Sequence, residues 1–457
     1  MTTIKTDLCI IGAGSGGLSL AAGAVQMGAR VVLIEGHLMG GDCLNYGCIP
    51  SKALLHAGKV APPMEFGAAK DHVRKVIDTI APVDSQDRFE GLGVHVIRDM
   101  AAFISPTELQ AGDAVITARR FVVATGSGPL VPPIPGLDGV TVHTNETIFD
   151  LRDKPSHLLI IGGGPIGMEM AQAHIRLGCK VTVIEGATAM GKDDPELAAI
   201  VLDRLRHQGV EIVEGANADK VSGTKTTVTV HTPKGDFTGS HLLVAVGRKV
   251  NVENLGFDKA NVRFDRKGVT VGADLRSVSN KRVYAMGDAA GGLQFTHVAG
   301  YHAGVLIRSI LLSLPSRQKT HHIPWATYTD PELAQVGLTE AEAKKKHGGA
   351  LTVVRFEYAD NDRAIADEKT TGLIKVMVVR GRPVGASIVG ALAGELIGMW
   401  AMAIANNLKM SAIANTVLPY PTVAEINKRA AGAYFSPKLF DSAFVKRVVG
   451  LVQRWLP

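Results

Sequence analysis

Two stretches of the chain share one pattern of apolar and polar positions. DLCIIGAGSGGLSLAAGAVQMGARVVLIEG, from Asp7, sets an apolar run before a glycine turn, then a stretch of helical period, a second apolar run and a terminal acid. HLLIIGGGPIGMEMAQAHIRLGCKVTVIEG, from His157, repeats this 150 residues later without a gap (157 against 7). Short unbroken apolar runs predict strands buried on both faces, and the segment between them predicts the helix that joins two parallel strands. From about residue 323 the pattern changes. LTVVRFEY (351–358) and GLIKVMVV (372–379) alternate as strands, and helical stretches follow near 394–408 and 422–432. The expected fold is α/β, with two repeated units and a third, α+β domain.

Each glycine of the repeat has a physical task in a Rossmann-type dinucleotide unit. Gly12 and Gly162 would make the tight turn, and Gly14 and Gly164 would let a pyrophosphate approach the backbone. Gly17 and Gly167 would let the helix pack closely on its strand, with the helix N-terminus facing the anion. Glu35 and Glu185 stand where an acid binds a ribose 2′-hydroxyl. Two such sites imply two different dinucleotides. The first unit runs into a cysteine pair, and VYAMGDAAGG (283–292) supplies a late strand ending in Gly287-Asp288. That makes the first unit the FAD half and the second the nicotinamide half. Glu185 would repel a 2′-phosphate and Lys192 is the only cation nearby in sequence, which favours NADH over NADPH. The expected domains are 1–149 with 280–322 for FAD, 150–279 for NAD(P), and 323–457.

Composition narrows the class. The 457 residues suffice for about three domains. The net charge is +6, but Lys and Arg are scattered and no basic run is interleaved with aromatics, so nucleic-acid binding is not expected. Four cysteines are too few for a disulfide scaffold. TTIKTD leads directly into the first strand and no apolar run is long enough to span a bilayer, so the expected compartment is the cytoplasm.

The pair lies in GGDCLNYGCIPSK, residues 40–52. In a regular helix, Cys43 and Cys48 would have Cα atoms roughly 8–9 Å apart, beyond the ~7 Å reach of a disulfide. A bridge therefore needs a distorted turn, which Gly47 permits. Pro50 suits a helix's first turn, setting Cys48 near the helix's positive end and near Lys52, both of which lower a thiol pKa. A zinc site is not expected. Cys9 sits in the first strand, Cys179 precedes a strand of the second copy, and no histidine pair lies near. Two packed structural thiols are the alternative, but the position after a flavin-type unit favours a redox pair.

The motifs IGAGSGG, GGDCLNYGCIPSK, ATGS (124–127), IGGGPIGMEMA, VGR (246–248), YAMGD, YTDPELAQVGLTE (328–340) and PYPTVAE (419–425) run along almost the whole chain. With them the sequence resembles the pyridine nucleotide–disulfide oxidoreductases, the family of dihydrolipoamide dehydrogenase, glutathione reductase and mercuric reductase. The resemblance implies an FAD-dependent, NAD(P)H-linked homodimer with a redox-active Cys43–Cys48 disulfide. Cys48 would be the flavin-proximal thiol and Cys43 the one that meets a small-molecule or small thiol or disulfide substrate. Lys52 would lie by the isoalloxazine and pair with Glu169. Asp288 would hold the ribityl chain, with Thr125 and Gly126 contacting FAD. The matching motifs extend the implied FAD contacts to Ser15, Gly16, Gly36, Gly41, Asp42 and Ala101, and to Phe295, Thr296 and His297. Ile166, Val246 and Gly247 join the implied nicotinamide-nucleotide contacts. The last domain would be the dimer interface, bringing PYPTVAE to the partner's active site.

The chain departs from the family at that last motif. Lipoamide dehydrogenases and glutathione reductases carry His-Pro-Thr-x-x-Glu, with the His as acid–base, whereas here Tyr420 takes its place and Glu425 is kept. A phenol with a pKa near ~10 is a poor base at neutral pH, so thiol–disulfide exchange should be impaired. Tyr resembles mercuric reductases, but VKRVVGLVQRWLP holds none of their final cysteines. The acceptor stays open among dihydrolipoamide, a mercuric ion carried by external thiols, and a quinone. A non-catalytic flavin-binding or NADH-sensing subunit is a further reading, against which Cys43, Cys48, Lys52 and Glu169 all argue. His297 and His302 read more readily as structural. Finally, Phe440, Phe444, Val448, Leu451 or Val452, and Trp455 recur at helical spacing beside Lys446, Arg447 and Arg454. That helix either packs on its own dimer or makes a peripheral contact with an anionic membrane or a partner.

Overall fold

The opening strand, Thr2–Ile11, is exposed in its first residues and buried from Leu8 onward. That is the profile of a strand entering the centre of a parallel sheet. It pairs in parallel with Val31–Ile34 on one side and Ala114–Val123 on the other. His95–Ile97 extends the first edge, and Val283–Ala285 adds a parallel strand beside Ala114–Val123. Glu108–Ala111 and Ala101–Ser105 continue the sheet antiparallel. The late strand at 283 thus completes the sheet begun at residue 2. Cys9 is fully buried in its core, in one cluster with Phe103 and Phe121.

A computed structural model describes residues 2–224 and 226–456. In it the helices of the two repeats, Ser15–Gln26 and Pro165–Arg176, keep the sequence offset at both ends (15 and 165, 26 and 176). Each connects parallel strands, Thr2–Ile11 to Val31–Ile34 and His157–Ile161 to Lys180–Ile184. Parallel neighbours require such a crossover, so the helix follows from the strand order.

The chain forms two compact units. One runs through Gly186 and resumes from Val213 to Lys319; the other takes in Ala187–Ile212 and everything from Thr320. The helix Pro195–His207, inside the stretch 150–279 expected to serve the nicotinamide nucleotide, thus groups with residues beyond 320. Burial of Leu197, Val201, Leu202 and Leu205 and ionic contacts within the second unit hold it there. Lys375 Nζ lies 2.9 Å from Asp194 Oδ2, 2.9 Å from Glu196 Oε2 and 2.7 Å from Glu340 Oε2, and Arg355 pairs with Glu196. Ion pairs between residues so far apart in sequence follow no period.

In the second unit an antiparallel sheet runs in the order Pro324–Thr327, Glu332–Gly337, Arg382–Gly390, Leu373–Val379, Leu351–Glu357. Helices Ala393–Ala405 and Glu425–Ala433 contribute to its core. There the fully buried Trp400 donates from Nε1 to Asn427 Oδ1 at 2.8 Å, while Asn427 Nδ2 donates to the Leu396 carbonyl at 3.0 Å. Both polar groups are therefore satisfied inside an apolar core. The last helix, Ala443–Trp455, has no buried residue, and no helix among the described residues is long and apolar enough to cross a membrane.

Candidate active site

The two glycine turns have the same geometry. Gly12 has φ +109°, and a Cβ there would lie 2.4 Å from the Ala124 carbonyl oxygen; at Gly162 the values are +115° and 2.5 Å from that of Ala245. A Cβ on Gly17 would fall 1.9 Å from the Gly12 oxygen, and on Gly167 2.0 Å from the Gly162 oxygen. Only glycine fits at these four positions. Each turn is also latched by its acid: Glu35 Oε2 accepts from Ala13 N–H at 2.7 Å and Glu185 Oε2 from Gly163 N–H at 2.6 Å. A glycine turn running into a helix N-terminus, with a carboxylate beside it, fits an adenine dinucleotide in both places. Ser15 opens the first helix, followed by Gly16, and a Cβ on Gly14 would stand 4.0 Å from the Cα of Gly41. Gly36 packs against Met100, next to Ala101. In the second copy Ile166 and Val246 are exposed, and Gly247 has φ +146°.

A polar cluster gathers residues far apart in sequence. Asp288 Oδ2 accepts from Ser127 Oγ at 2.5 Å, and Arg248 Nε donates to the same Ser127 Oγ at 2.7 Å. Arg248 also pairs with Asp42 at 3.1 Å, which accepts from Asn145 Nδ2 at 3.0 Å. Burial raises the Asp288 carboxyl pKa. Thr125 and Asn251 exchange hydrogen bonds, Oγ1 to the Asn251 carbonyl at 2.6 Å and Nδ2 back to the Thr125 carbonyl at 3.0 Å. Sequence reasoning named Asp42, Thr125, Gly126 and Asp288 but assigned no role to Ser127, Arg248 or Asn145. The ATGS and VGR motifs were the available signal. Asn145 has none.

Between the cysteines the helix breaks. Gly41–Asn45 ends, Gly47 takes φ −120° and ψ −110°, and Cys48–Lys59 begins. This is the distorted turn that the spacing demands. Cys48 is the first residue of the second helix, and its Sγ lies 3.5 Å from Thr296 Oγ1. Both cysteines are free thiols, Cys48 exposed and Cys43 half-buried. A hydrogen bond from Cys43, helped by Thr296 and the Lys52 charge, lowers the Cys48 thiol to about 6 despite the desolvation its neighbours impose and despite Glu169. The same hydrogen bond, with burial, pushes Cys43 up. The reduced pair therefore holds a single proton near neutrality, on Cys43.

Lys52 Nζ lies 2.8 Å from Glu169 Oε2, and Glu169 is buried on the helix of the second repeat. Phe295 and His297 stack at 5.2 Å and 9° beside Thr296, at the start of the helix Thr296–Leu306. His302, further along that helix, accepts from Gly287 N–H at Nδ1 (3.1 Å), so its Nε2–H donates to Gln318 Oε1 at 2.8 Å. Burial lowers its pKa, which leaves it a neutral latch for the Gly287-Asp288 turn.

In the other unit, Tyr420 is 67% exposed and its hydroxyl donates to Asp362 Oδ2 at 2.9 Å. That bond raises the phenol's pKa. Glu425 begins the helix Glu425–Ala433, and its N–H bonds to the Thr422 carbonyl at 3.3 Å. Asp362, unlike Glu425, carries no motif that marks it. Among the described residues no group of three or more His, Cys, Asp or Glu is arranged to hold a metal ion.

Comparison with known proteins agrees with this geometry. Residues 6–303 match the family model described as pyridine nucleotide-disulphide oxidoreductase, and residues 323–431 match its dimerisation domain. A mercuric reductase of Lysinibacillus sphaericus is 32% identical over 93% of this chain and 82% of its own length. A dihydrolipoyl dehydrogenase of Staphylococcus aureus is 31% identical over 94% of this chain and 96% of its own. The Cu(II) complex of the HOCl-induced flavoprotein disulfide reductase RclA from Escherichia coli superimposes with a TM-score of 0.85 at 29% identity, covering 93% of this chain and 99% of that one. With its paired dinucleotide turns, its cysteine turn and a match along most of its length, this chain belongs to the FAD-dependent pyridine nucleotide-disulphide oxidoreductases.

Proposed function

We propose that this homodimeric enzyme draws electrons from NADH and delivers them through Cys48 and Cys43 to a thiophilic metal ion. The observation that carries the acceptor class is Tyr420. Its phenol is already engaged with Asp362 and its pKa is raised, so it cannot take a thiol proton near neutrality. An acceptor that binds a cysteine sulfur directly needs no such base. The name of the mercuric reductase and the Cu(II) complex of RclA support the same class.

FAD, when bound, supplies the hydride acceptor that links the nicotinamide nucleotide to the sulfurs. Gly12, Gly14 and Gly17, with Glu35, Thr125, Gly126 and Asp288, would hold it. Gly162, Gly164, Gly167 and Glu185 would hold NADH, the carboxylate discriminating against a 2′-phosphate. By the same reading residues 1–149 and 280–322 serve FAD, 150–279 the nicotinamide nucleotide, and 323–457 the dimer, with Tyr420 and Glu425 acting on the partner's cysteines. Cys48 holds a thiolate, kept by the Cys43 hydrogen bond, Thr296 and Lys52. Cys43 presents its sulfur to the ion. Reoxidation of the pair forms the S–S bond, releases the single proton on Cys43 and passes on two electrons. Those reduce one ion by two charges or two ions by one charge each.

A second reading, dihydrolipoyl dehydrogenase, draws on retained Glu425 and the Staphylococcus relative. Steady-state assays with Hg(II), Cu(II), dihydrolipoamide, glutathione disulfide and a quinone, each with NADH and NADPH, separate the readings. The expected result is the highest kcat/KM for a metal ion with NADH. Faster turnover of dihydrolipoamide than of every metal ion would overturn the proposal.

A further inference from the structure

The last helix of the described chain presents an apolar face on which nothing is packed. At 100° per residue, Phe444, Val448, Leu451, Val452 and Trp455 fall on one side of Ala443–Trp455, Lys446 falls opposite, and Arg447 and Arg454 flank the apolar face beside Leu451. Phe444 and Trp455 are 75% and 76% exposed, and Leu439 and Phe440 of the preceding short helix, Ser436–Phe440, add to the same apolar exposure. No acidic residue occurs after Asp441.

We propose that this helix lies in the surface of an anionic lipid bilayer, its apolar face inserted and its cations on the headgroups, and so holds the enzyme at a membrane. Thirteen residues are too few to span a bilayer, but aromatic and branched residues on one face, with Arg at its flank and Lys opposite, suit a helix lying in the interface. Trp455 has the amphipathic ring that settles at headgroup level.

Two observations favour lipid over a second copy of the chain. The dimerisation-domain match ends at residue 431, so the helix from Ala443 lies outside the part of the chain that the match assigns to dimerisation. The helix also carries three cations and no carboxylate, so two copies pairing through it would meet like charge, whereas anionic headgroups supply the complement.

Co-sedimentation of the purified full-length protein tests this, using vesicles of phosphatidylcholine alone and vesicles with about one-third phosphatidylglycerol. Binding is expected on the anionic vesicles only, and should weaken as salt rises. Phe444→Asp with Val448→Asp, and separately Lys446→Glu with Arg447→Glu, should each lower partitioning by about tenfold or more while NADH oxidation is kept. Equal partitioning of the wild type and both variants overturns the proposal. So does conversion of dimer to monomer by the first variant in lipid-free sedimentation velocity, which would assign the face to a second copy.

Discussion

Lys52 Nζ and Glu169 Oε2, separated by 117 residues of sequence, meet at 2.8 Å and tie the helix after the cysteine turn to the helix of the second dinucleotide repeat. The carboxylate is buried while the ammonium keeps about a third of its exposure. Glu169 thus fixes the Lys52 ammonium near Cys48, where the two charges act in opposite senses on the thiol. Lys52→Met should leave a buried carboxylate without its ammonium and cost about 1–3 kcal/mol, less than a fully buried pair would. Glu169→Gln, which keeps a hydrogen-bond acceptor, should cost less. Urea unfolding of both variants checks the order.

The hydrogen bond from Cys43 makes Cys48 the thiolate of the reduced pair. Its titration near 6 means that alkylation of Cys48 by iodoacetamide should stay fast down to about pH 6 and fall about tenfold per unit below it. Cys43→Ala should move that midpoint up the most, then Thr296→Val, then Lys52→Met, in the order of their influence. Mass-spectrometric rates on the reduced protein read this without any turnover.

Tyr420 donates to Asp362, and the carboxylate holds the phenol protonated beyond its ordinary range. Asp362→Asn should bring tyrosinate formation, followed by absorbance near 295 nm, down toward the ordinary ~10. Tyr420→His should raise turnover of dihydrolipoamide by about tenfold or more by supplying a base that titrates near neutrality. No gain would mean that Tyr420 does not limit exchange.

Lys375 is 5% exposed and is held by Asp194, Glu196 and Glu340. Lys375→Met removes the only buried cation among these carboxylates and should cost about 3–5 kcal/mol in chemical denaturation. Arg355 first, and Lys375 after it, lower the Glu196 carboxyl from 4.5 to about 2. A depressed carboxylate stabilises the fold above its ordinary pKa and loses that contribution as pH falls through the folded value. The difference between wild type and Arg355→Ala, about 1 kcal/mol or less for an exposed pair, should therefore hold above pH ~4.5 and vanish toward pH ~2.

The repeat was legible because dinucleotide turns impose backbone constraints that only glycine meets. Gly12, Gly17, Gly162 and Gly167 stand where a Cβ would strike a carbonyl, so residue type alone reveals them. The break between Cys43 and Cys48 was legible for a similar reason, since no regular helix brings those two sulfurs within reach. Hydrophobic period likewise placed the sheets, whose strands must be apolar to be buried.

Sequence by itself thus determined the two dinucleotide turns, the distorted cysteine turn and the amphipathic character of the last helix, because each rests on local backbone geometry or periodicity. Apart from Lys52 with Glu169, which the family resemblance implied, tertiary structure alone decided which charges meet. Asp288 with Ser127 and Arg248, Tyr420 with Asp362 rather than Glu425, and Asp194 with Lys375 are pairings across 161, 58 and 181 residues. A polar side chain satisfied by a distant partner follows no period and favours no neighbour in sequence. Only the folded chain, which must pair every charge it buries, selects among them.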